Sequence, residues 1–429
     1  MCRGAPTGRR LPTVRYSISS LLGQAITGNR GWKPAWRRTE PKPVYDALIV
    51  GGGGHGLATA YYLAKEHGMA NIAVLEKGWI GSGNIGRNTT LIRSNYLLPG
   101  NIPFYEHSMK LWEGLEQDIN YNAMVSQRGL LNLYHSDAQR DAFARRGNAM
   151  RMHGVDAELL DREEVRAFVP YLDFDNGRFP IQGGLIQRRG GTVRHDAVAW
   201  GYARAADRLG VDILEHCEVT GIDVVDGRAV GVQTTRGAIR AKKIGLAAAG
   251  NSSRVAALAG LRLPIESHVL QAFVSEGVKP LIDTVVTFGA GHFYISQSDK
   301  GGLVFGGDID GYNSYAWRGN LPMVEDVAEC GMALMPMLGR LRVVRSWGGL
   351  MDMSMDGSPI IDKTPIDGLY LNCGWCYGGF KATPASGWCF AHTIARDELH
   401  AFNAAMRLDR FATGHLIDER GAGNRPNLH

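Results

Sequence analysis

The chain has 429 residues, above the size of one average domain, and combines 45% hydrophobic with 21% charged residues, the balance of a globular protein with a substantial core. Its formal net charge of +5 gathers in the first forty residues, where Arg3, Arg9, Arg10, Arg15, Arg30, Lys33, Arg37 and Arg38 meet only Glu40. No basic stripe with interleaved aromatics follows and no run approaches 18 apolar residues, so neither a nucleic-acid surface nor a membrane-spanning helix is expected. Residues 1–42 read as a basic N-terminal arm. The twin arginine Arg9-Arg10 precedes a stretch that Arg15, Ser17, Ser19, Ser20 and Gln24 keep from being a continuous apolar signal segment. Trp32 and Trp36 suit an arm packed on another surface. The cysteines Cys2, Cys217, Cys330, Cys373, Cys376 and Cys389 are scattered as reduced thiols of the cytoplasm are, and no metal site is expected.

In chain order, residues 47–50 form an apolar run between Asp46 and Gly51, the pattern of a buried parallel strand. The run Gly51-Gly52-Gly53-Gly54-His55-Gly56 follows, with G-x-G-x-x-G at Gly51, Gly53 and Gly56. Residues 57–66 predict a helix, and residues 72–75 a second strand ending at Glu76, about 20 residues after Gly56. Strand, glycines, helix, strand and acid in this order are a dinucleotide-binding fingerprint. The glycines let backbone N–H groups approach a pyrophosphate, the helix N-terminus adds partial positive charge, and the acid accepts ribose hydroxyls.

Residues 211–214 and 218–224 predict strands leading into the turn Asp226-Gly227. Residues 229–235 and 238–240 form a hairpin bent at Arg236-Gly237, and the strand 244–249 ends in Gly250. This closing pattern favours FAD over NAD, whose domains continue in βαβ units. The expected fold is α/β (α+β): a Rossmann-type FAD-binding domain built from 43–130, 181–264 and 341–400, interleaved with a mixed β-sheet substrate or cap domain from 131–180 and 265–340. Residues 401–429 are expected to be a C-terminal tail, of which 421–429 carry no readable function.

Residues 46–64, 74–79 and 87–96 resemble the β subunits of heterotetrameric sarcosine oxidases, in the D-amino-acid-oxidase-like superfamily of FAD amine oxidoreductases. So do Gln127-Arg128-Gly129, 195–203, 217–221, Trp347-Gly348-Gly349, 356–365, 378–384 and 414–419. The resemblance runs from about residue 15 to near the C-terminus. It implies that Arg93 binds the substrate carboxylate, for which a guanidinium offers two parallel hydrogen bonds, and that Lys381 supplies a second cation. It implies FAD contacts at Gly51, Gly53, Gly54, His55, Gly56 and Glu76. Further contacts fall in the loop Asn84, Arg87, Asn88, Thr89 and Leu91, at Val219 and Gly250, and at Gly378, Gly379 and Lys381.

By its own chemistry, a lone His195 suits a capping or surface role. Asp196 is expected to cap a helix over 197–209, whose dipole disfavours the imidazolium form. The resemblance instead implies a second flavin, FMN, covalently held on His195 with Arg194 beside it. The implied activity is oxidative demethylation of sarcosine, or a similar N-methyl amino acid, to glycine at non-covalent FAD. Electrons pass to the FMN and then to O2, giving hydrogen peroxide. The one-carbon unit goes to tetrahydrofolate on a larger α subunit, and small γ and δ subunits complete the assembly. One alternative is a self-contained FAD secondary-amine or amino-acid dehydrogenase without covalent FMN. Another is a dithiol electron-transfer flavoprotein using Cys373-Gly374-Trp375-Cys376, although no helix is expected to follow that motif and Cys376 stands where these relatives carry a small residue. A third is a non-catalytic assembly subunit.

Overall fold

A computed structural model describes residues 18–28, 30, 34–175, 177–289 and 293–419. Residues 1–35 and 36–429 form two separate units. The first carries the helix Ile18–Ile26, and much of the expected basic arm, Trp32 included, lies outside the described residues. Everything below concerns the second unit. Its first residues are held down: Trp36 donates to Glu215 at 3.3 Å, and Arg37 pairs with Asp207 at 2.7 Å.

The first of two large sheets is centred on Val44–Val50. This strand runs parallel to Ile72–Leu75 on one side and to Gly237–Leu246 on the other. Asp212–Leu214 extends the sheet in parallel beyond Ile72–Leu75. Leu369–Cys373 does so beyond Gly237–Leu246, followed by the antiparallel Ile360–Lys363. The central strands are buried, as the continuous apolar runs of a covered parallel sheet require. The helix Gly54–His67 lies against one face and is backed by Thr383–Arg396; a Cβ on Gly387 would come within 2.4 Å of the Ala58 Cβ. In the same sheet Arg228–Thr234 pairs with Gly237–Leu246 as the expected hairpin, and on its other side with Val219–Val225 across the expected turn Asp226-Gly227. Asp226 and Gly227 have φ of 49° and 76°, the left-handed pair that a two-residue hairpin turn needs.

The second sheet is mixed. Its spatial order is Val343–Ser354, Ile265–Gly277, Gly302–Ile309, Phe293–Gln297, Val285–Phe288, Leu130–Tyr134, Gly183–Gln187 and Glu158–Asp161. Neighbours are antiparallel except Val285–Phe288 with Leu130–Tyr134. Gly183–Gln187 and Val343–Ser354 belong to this sheet, so the chain crosses back to the nucleotide-binding sheet one element later than boundaries at 181 and 341 would have it. No helix among the described residues is long and apolar enough to cross a membrane.

Residues 401–419 are not a loose tail. Arg410, 1% exposed, donates to Asp356 through Nε at 2.7 Å and Nη2 at 2.9 Å. Asp356 Oδ2 also accepts the Ile417 N–H at 3.0 Å. Removing one member of such a pair leaves the other charged and buried. Asp356→Ala is therefore expected to cost about 3–5 kcal/mol, read as a fall in the urea midpoint, while a change within error would mean that Arg410 reaches solvent in the variant.

Candidate active site

Between the sheets lies a cavity of about 880 Å³, toward the upper end of the range for ligand pockets. Its nucleotide end is built where Val44–Val50 stops. Gly51 turns with φ of 112°, and a Cβ there would meet the Ala247 carbonyl at 2.3 Å. A Cβ on Gly53 would meet nothing within 4 Å, so this glycine presents open space to the cavity. The helix begins at Gly54 with no side chain capping it, leaving first-turn N–H groups for a ligand. Glu76 accepts the Gly52 N–H at 2.9 Å on Oε2 and the Gly78 N–H at 2.8 Å on Oε1, which fixes an acidic acceptor at the rim.

The middle of the cavity is bounded by the short turn Asn84–Arg87 and the strand Val343–Ser354. Asn84 uses both ends of its amide on the Leu350 backbone, accepting from its N–H at 2.9 Å and donating to its carbonyl. Its main role in this structure is to pin the turn to that strand. Trp347 adds a 2.7 Å bond from Nε1 to the Arg87 carbonyl. Across the cavity His55 stacks on Trp375 at 4.5 Å, and His55, Asn372 and Trp375 are joined through Ser386 and Asn372 oxygens. Burial pushes the His55 imidazole down to about 3, so it is neutral.

Two cations also stand in the cavity wall. Arg93 donates to Asn95 Oδ1 at 2.5 Å and lies 4.9 Å over the Tyr96 ring, itself stacked on Tyr105. Lys381 is buried, and its Nζ donates to the Tyr377 carbonyl. Ser108 and Trp112 hold the Lys381 carbonyl at 2.7 and 2.9 Å. Burial, and then the neighbouring Arg93, push the Lys381 ammonium well below its usual range. Among the described residues no carboxylate lies within the 4.0 Å ion-pair distance of either cation. Two buried or half-buried cations with no carboxylate of the described residues at ion-pair distance suit an anionic ligand group.

Gly51, Gly53, Gly54, His55, Glu76, Asn84, Arg87, Asn88, Thr89, Leu91, Arg93, Val219, Gly250, Gly379 and Lys381 all line this cavity. Gly56 and Gly378 do not. They permit close packing instead: a Cβ would lie 1.9 Å from the Gly51 carbonyl oxygen and 2.1 Å from the Tyr105 hydroxyl, respectively. His195 and Arg194 also lie outside the cavity lining. The helix runs His195–Arg208 and packs on the far side of the turn Asn84–Arg87. Its N-cap is Arg194 rather than Asp196, because the Asp196 carboxylate is drawn into a two-point pair with Arg194 at 2.7 and 2.9 Å and accepts the adjacent Ala197 N–H. Burial lowers the His195 pKa, Asp196 opposes this and Arg194 adds to it; Nδ1 is buried without a hydrogen-bond partner.

Cys373 and Cys376 are both buried free thiols. Burial raises Cys373 well above the ordinary thiol range and pushes Cys376 up to about 11, partly offset by Ser354. Reactive dithiols need the opposite shift.

Several lining residues had no motif to announce them. Asn132 and Thr287 stand opposite each other on the second sheet, with Thr287 Oγ1 donating to Asn132 Oδ1 at 2.7 Å. Gln139, Phe143 and Arg146 reach the cavity from one face of the helix Asp137–Met152. Their i, i+4, i+7 spacing was the available signal. Asp352, Trp375 and Tyr294 complete the wall.

Comparison with known proteins places these features. Residues 46–393 match the family described as FAD dependent oxidoreductase. Sarcosine oxidase subunit beta of Rhizobium meliloti (strain 1021) is 75% identical over 416 residues, spanning 97% of this chain and 100% of the relative. The same-named protein of Arthrobacter sp is 53% identical over 389 residues, spanning 90% and 96%. Among solved structures, L-proline dehydrogenase from P.horikoshii superposes with a TM-score of 0.82 at 26% identity, covering 88% of this chain and 100% of that one. The glycine run, the two-sheet cavity and these likenesses agree: the chain is an FAD-dependent oxidoreductase and belongs to the family of sarcosine oxidase β subunits.

Proposed function

We propose that the cavity oxidises sarcosine, or a similar N-methyl amino acid, to glycine and a one-carbon unit. The observation that carries this reading is the Arg93–Lys381 couple in the cavity wall, with no carboxylate of the described residues at ion-pair distance. When bound, FAD supplies a hydride acceptor, and FMN on His195 supplies the route for electrons to O2, which yields hydrogen peroxide. The open face of Gly53, the uncapped helix at Gly54 and the anchored Glu76 fit the pyrophosphate and ribose of FAD. The His195 ring meets the Gly86 backbone, and its buried Nδ1, left without a partner, fits a nitrogen open to a bound group.

Arg93 and Lys381 fix the substrate carboxylate, and a fixed carboxylate holds the N-methyl carbon in one orientation, so the reaction proceeds within a bound complex. Buried walls exclude water there. His195, neutral through burial, is a nucleophile without a proton to lose first. The turn Asn84–Arg87 separates it from the FAD cavity by a single layer of chain. A larger α subunit with tetrahydrofolate and small γ and δ subunits complete the proposed enzyme in the cytoplasm; the relatives' names as subunits support such an assembly.

Acid precipitation of the complex purified from its native host tests the two-flavin reading. Flavin is expected to stay with the pellet of the wild type and to be absent from the pellet of His195→Ala, with FAD in both supernatants. Complete release from the wild type would favour an amine dehydrogenase with FAD alone.

A further inference from the structure

Asp352 is a buried carboxylate at the cavity wall, and none of the described residues gives it a cation within the 4.0 Å ion-pair distance. Its Oδ2 instead accepts the Gly374 N–H at 2.6 Å, and the Trp375 N–H is directed at the same group. These amides open the short turn Cys376–Gly378, in which Cys376 holds a left-handed φ of 48°. A non-glycine residue in that region persists only where its surroundings impose it. Three bonds do so: the one to Asp352, the Ser354 N–H to Cys376 Sγ at 3.3 Å, and Trp375 Nε1 to Asn372 at 2.8 Å. The turn ends at the Tyr377 carbonyl that receives the Lys381 ammonium.

We propose that Asp352 is a positioning residue for Lys381: it anchors the turn 374–378 through backbone N–H groups, and the turn's Tyr377 carbonyl aims the ammonium at the substrate carboxylate. This rests on the carboxylate-binding reading of Lys381. A carboxylate offers two charged accepting oxygens to the amides, whereas its protonated form or an asparagine keeps one neutral accepting oxygen, a weaker anchor.

Burial pushes Asp352 up to about 6, with the amides of Trp375, Asp352 and Gly374 opposing. The groups facing it are Cys373 and Cys376, both held protonated by burial, neutral Ser267 opposite it on Ile265–Gly277, and Asp356, which is paired with Arg410. The anchor is therefore fully present above pH 6 and is lost as pH falls through that value. Lys381 moves in the opposite sense, gaining its proton as pH falls.

The test uses the assembled enzyme and acetate, a carboxylate without an amine to titrate, with Kd read from the perturbed flavin spectrum. At pH 7.5, Asp352→Asn is expected to weaken acetate roughly tenfold, the loss of about one charge-assisted hydrogen bond. Because Lys381 titrates in both proteins, the ratio is read: wild-type affinity relative to that of Asp352→Asn is expected to fall between pH 7 and 5.5. In a Lys381→Met background, Asp352→Asn is expected to add no further loss. Unchanged binding in Asp352→Asn, or an undiminished effect in the Lys381→Met background, overturns the proposal. If Lys381→Met alone binds acetate as the wild type does, the carboxylate reading of Lys381 fails instead. Should Asp352→Asn not retain FAD, Asp352→Ser takes its place: a ratio of wild-type to variant affinity that is flat or rises toward pH 5.5 overturns the anchor.

Discussion

Arg93→Ala is expected to lower kcat/KM for sarcosine roughly 100- to 1,000-fold, about 3–4 kcal/mol of lost binding to the reacting complex. The size follows from the setting. The guanidinium is held by Asn95 and the Tyr96 face, so its fork is oriented before substrate arrives, and no carboxylate of the described residues lies within ion-pair distance of it. Lys381 remains in the variant, but it is a point charge that burial pushes toward neutrality, so it cannot replace the fork. Arg93→Lys is expected to recover a minor part of the loss. Steady-state kinetics of the assembled enzyme, with FAD content as the control, read the effect. A kcat/KM within threefold of wild type would remove Arg93 from carboxylate recognition.

Gly56→Ala is expected to abolish FAD retention. Its Cβ would stand 1.9 Å from the Gly51 carbonyl oxygen, a backbone atom that cannot rotate away, so the helix Gly54–His67 must move off the strand that carries the glycine run. Overpacking of this kind costs about 1–3 kcal/mol, and the stabilisation that bound cofactor confers disappears with it. Gly53→Ala separates the two causes. Its Cβ meets no chain atom within 4 Å, so it is expected to leave the cofactor-free chain as stable as wild type while obstructing the pyrophosphate. Thermal melts of flavin-stripped protein, beside the flavin content of the purified variants, distinguish them. Equal flavin retention by wild type and Gly56→Ala would show that helix and strand can separate without loss of the site.

The nucleotide half of the site was legible because its parts are consecutive: Val50, the glycines, the helix and Glu76 fall within one βαβ unit, where local rules govern. The hairpin at Asp226-Gly227 was legible for the same reason. Arg93 and Lys381 were readable only through family likeness, since nothing local to either tells an exposed charge from a ligand-binding one. Asn132, Thr287 and Asp352 reach the cavity through pairings between distant segments, which no window along the chain displays. Arg410 was read only as part of a C-terminal tail, because its partner Asp356 is 54 residues away. His195 was read as standing before a helix capped by Asp196, whereas the helix begins at His195 itself and Asp196 lost its capping role to a salt bridge with Arg194.

The end of the described chain has a consequence for synthesis. The Glu419 carboxylate accepts the N–H groups of Leu97 and Leu98, the latter at 3.1 Å on Oε2, and Leu97 lines the cavity just beyond Arg93. A ribosome makes those two leucines long before it makes Glu419, Arg410 and Ile417. During that interval the amine-binding wall lacks its brace and the carboxylate of Asp356 lacks its arginine. The nascent chain can therefore form the glycine-run unit early, but it completes its substrate end only after the last of these residues has left the exit tunnel.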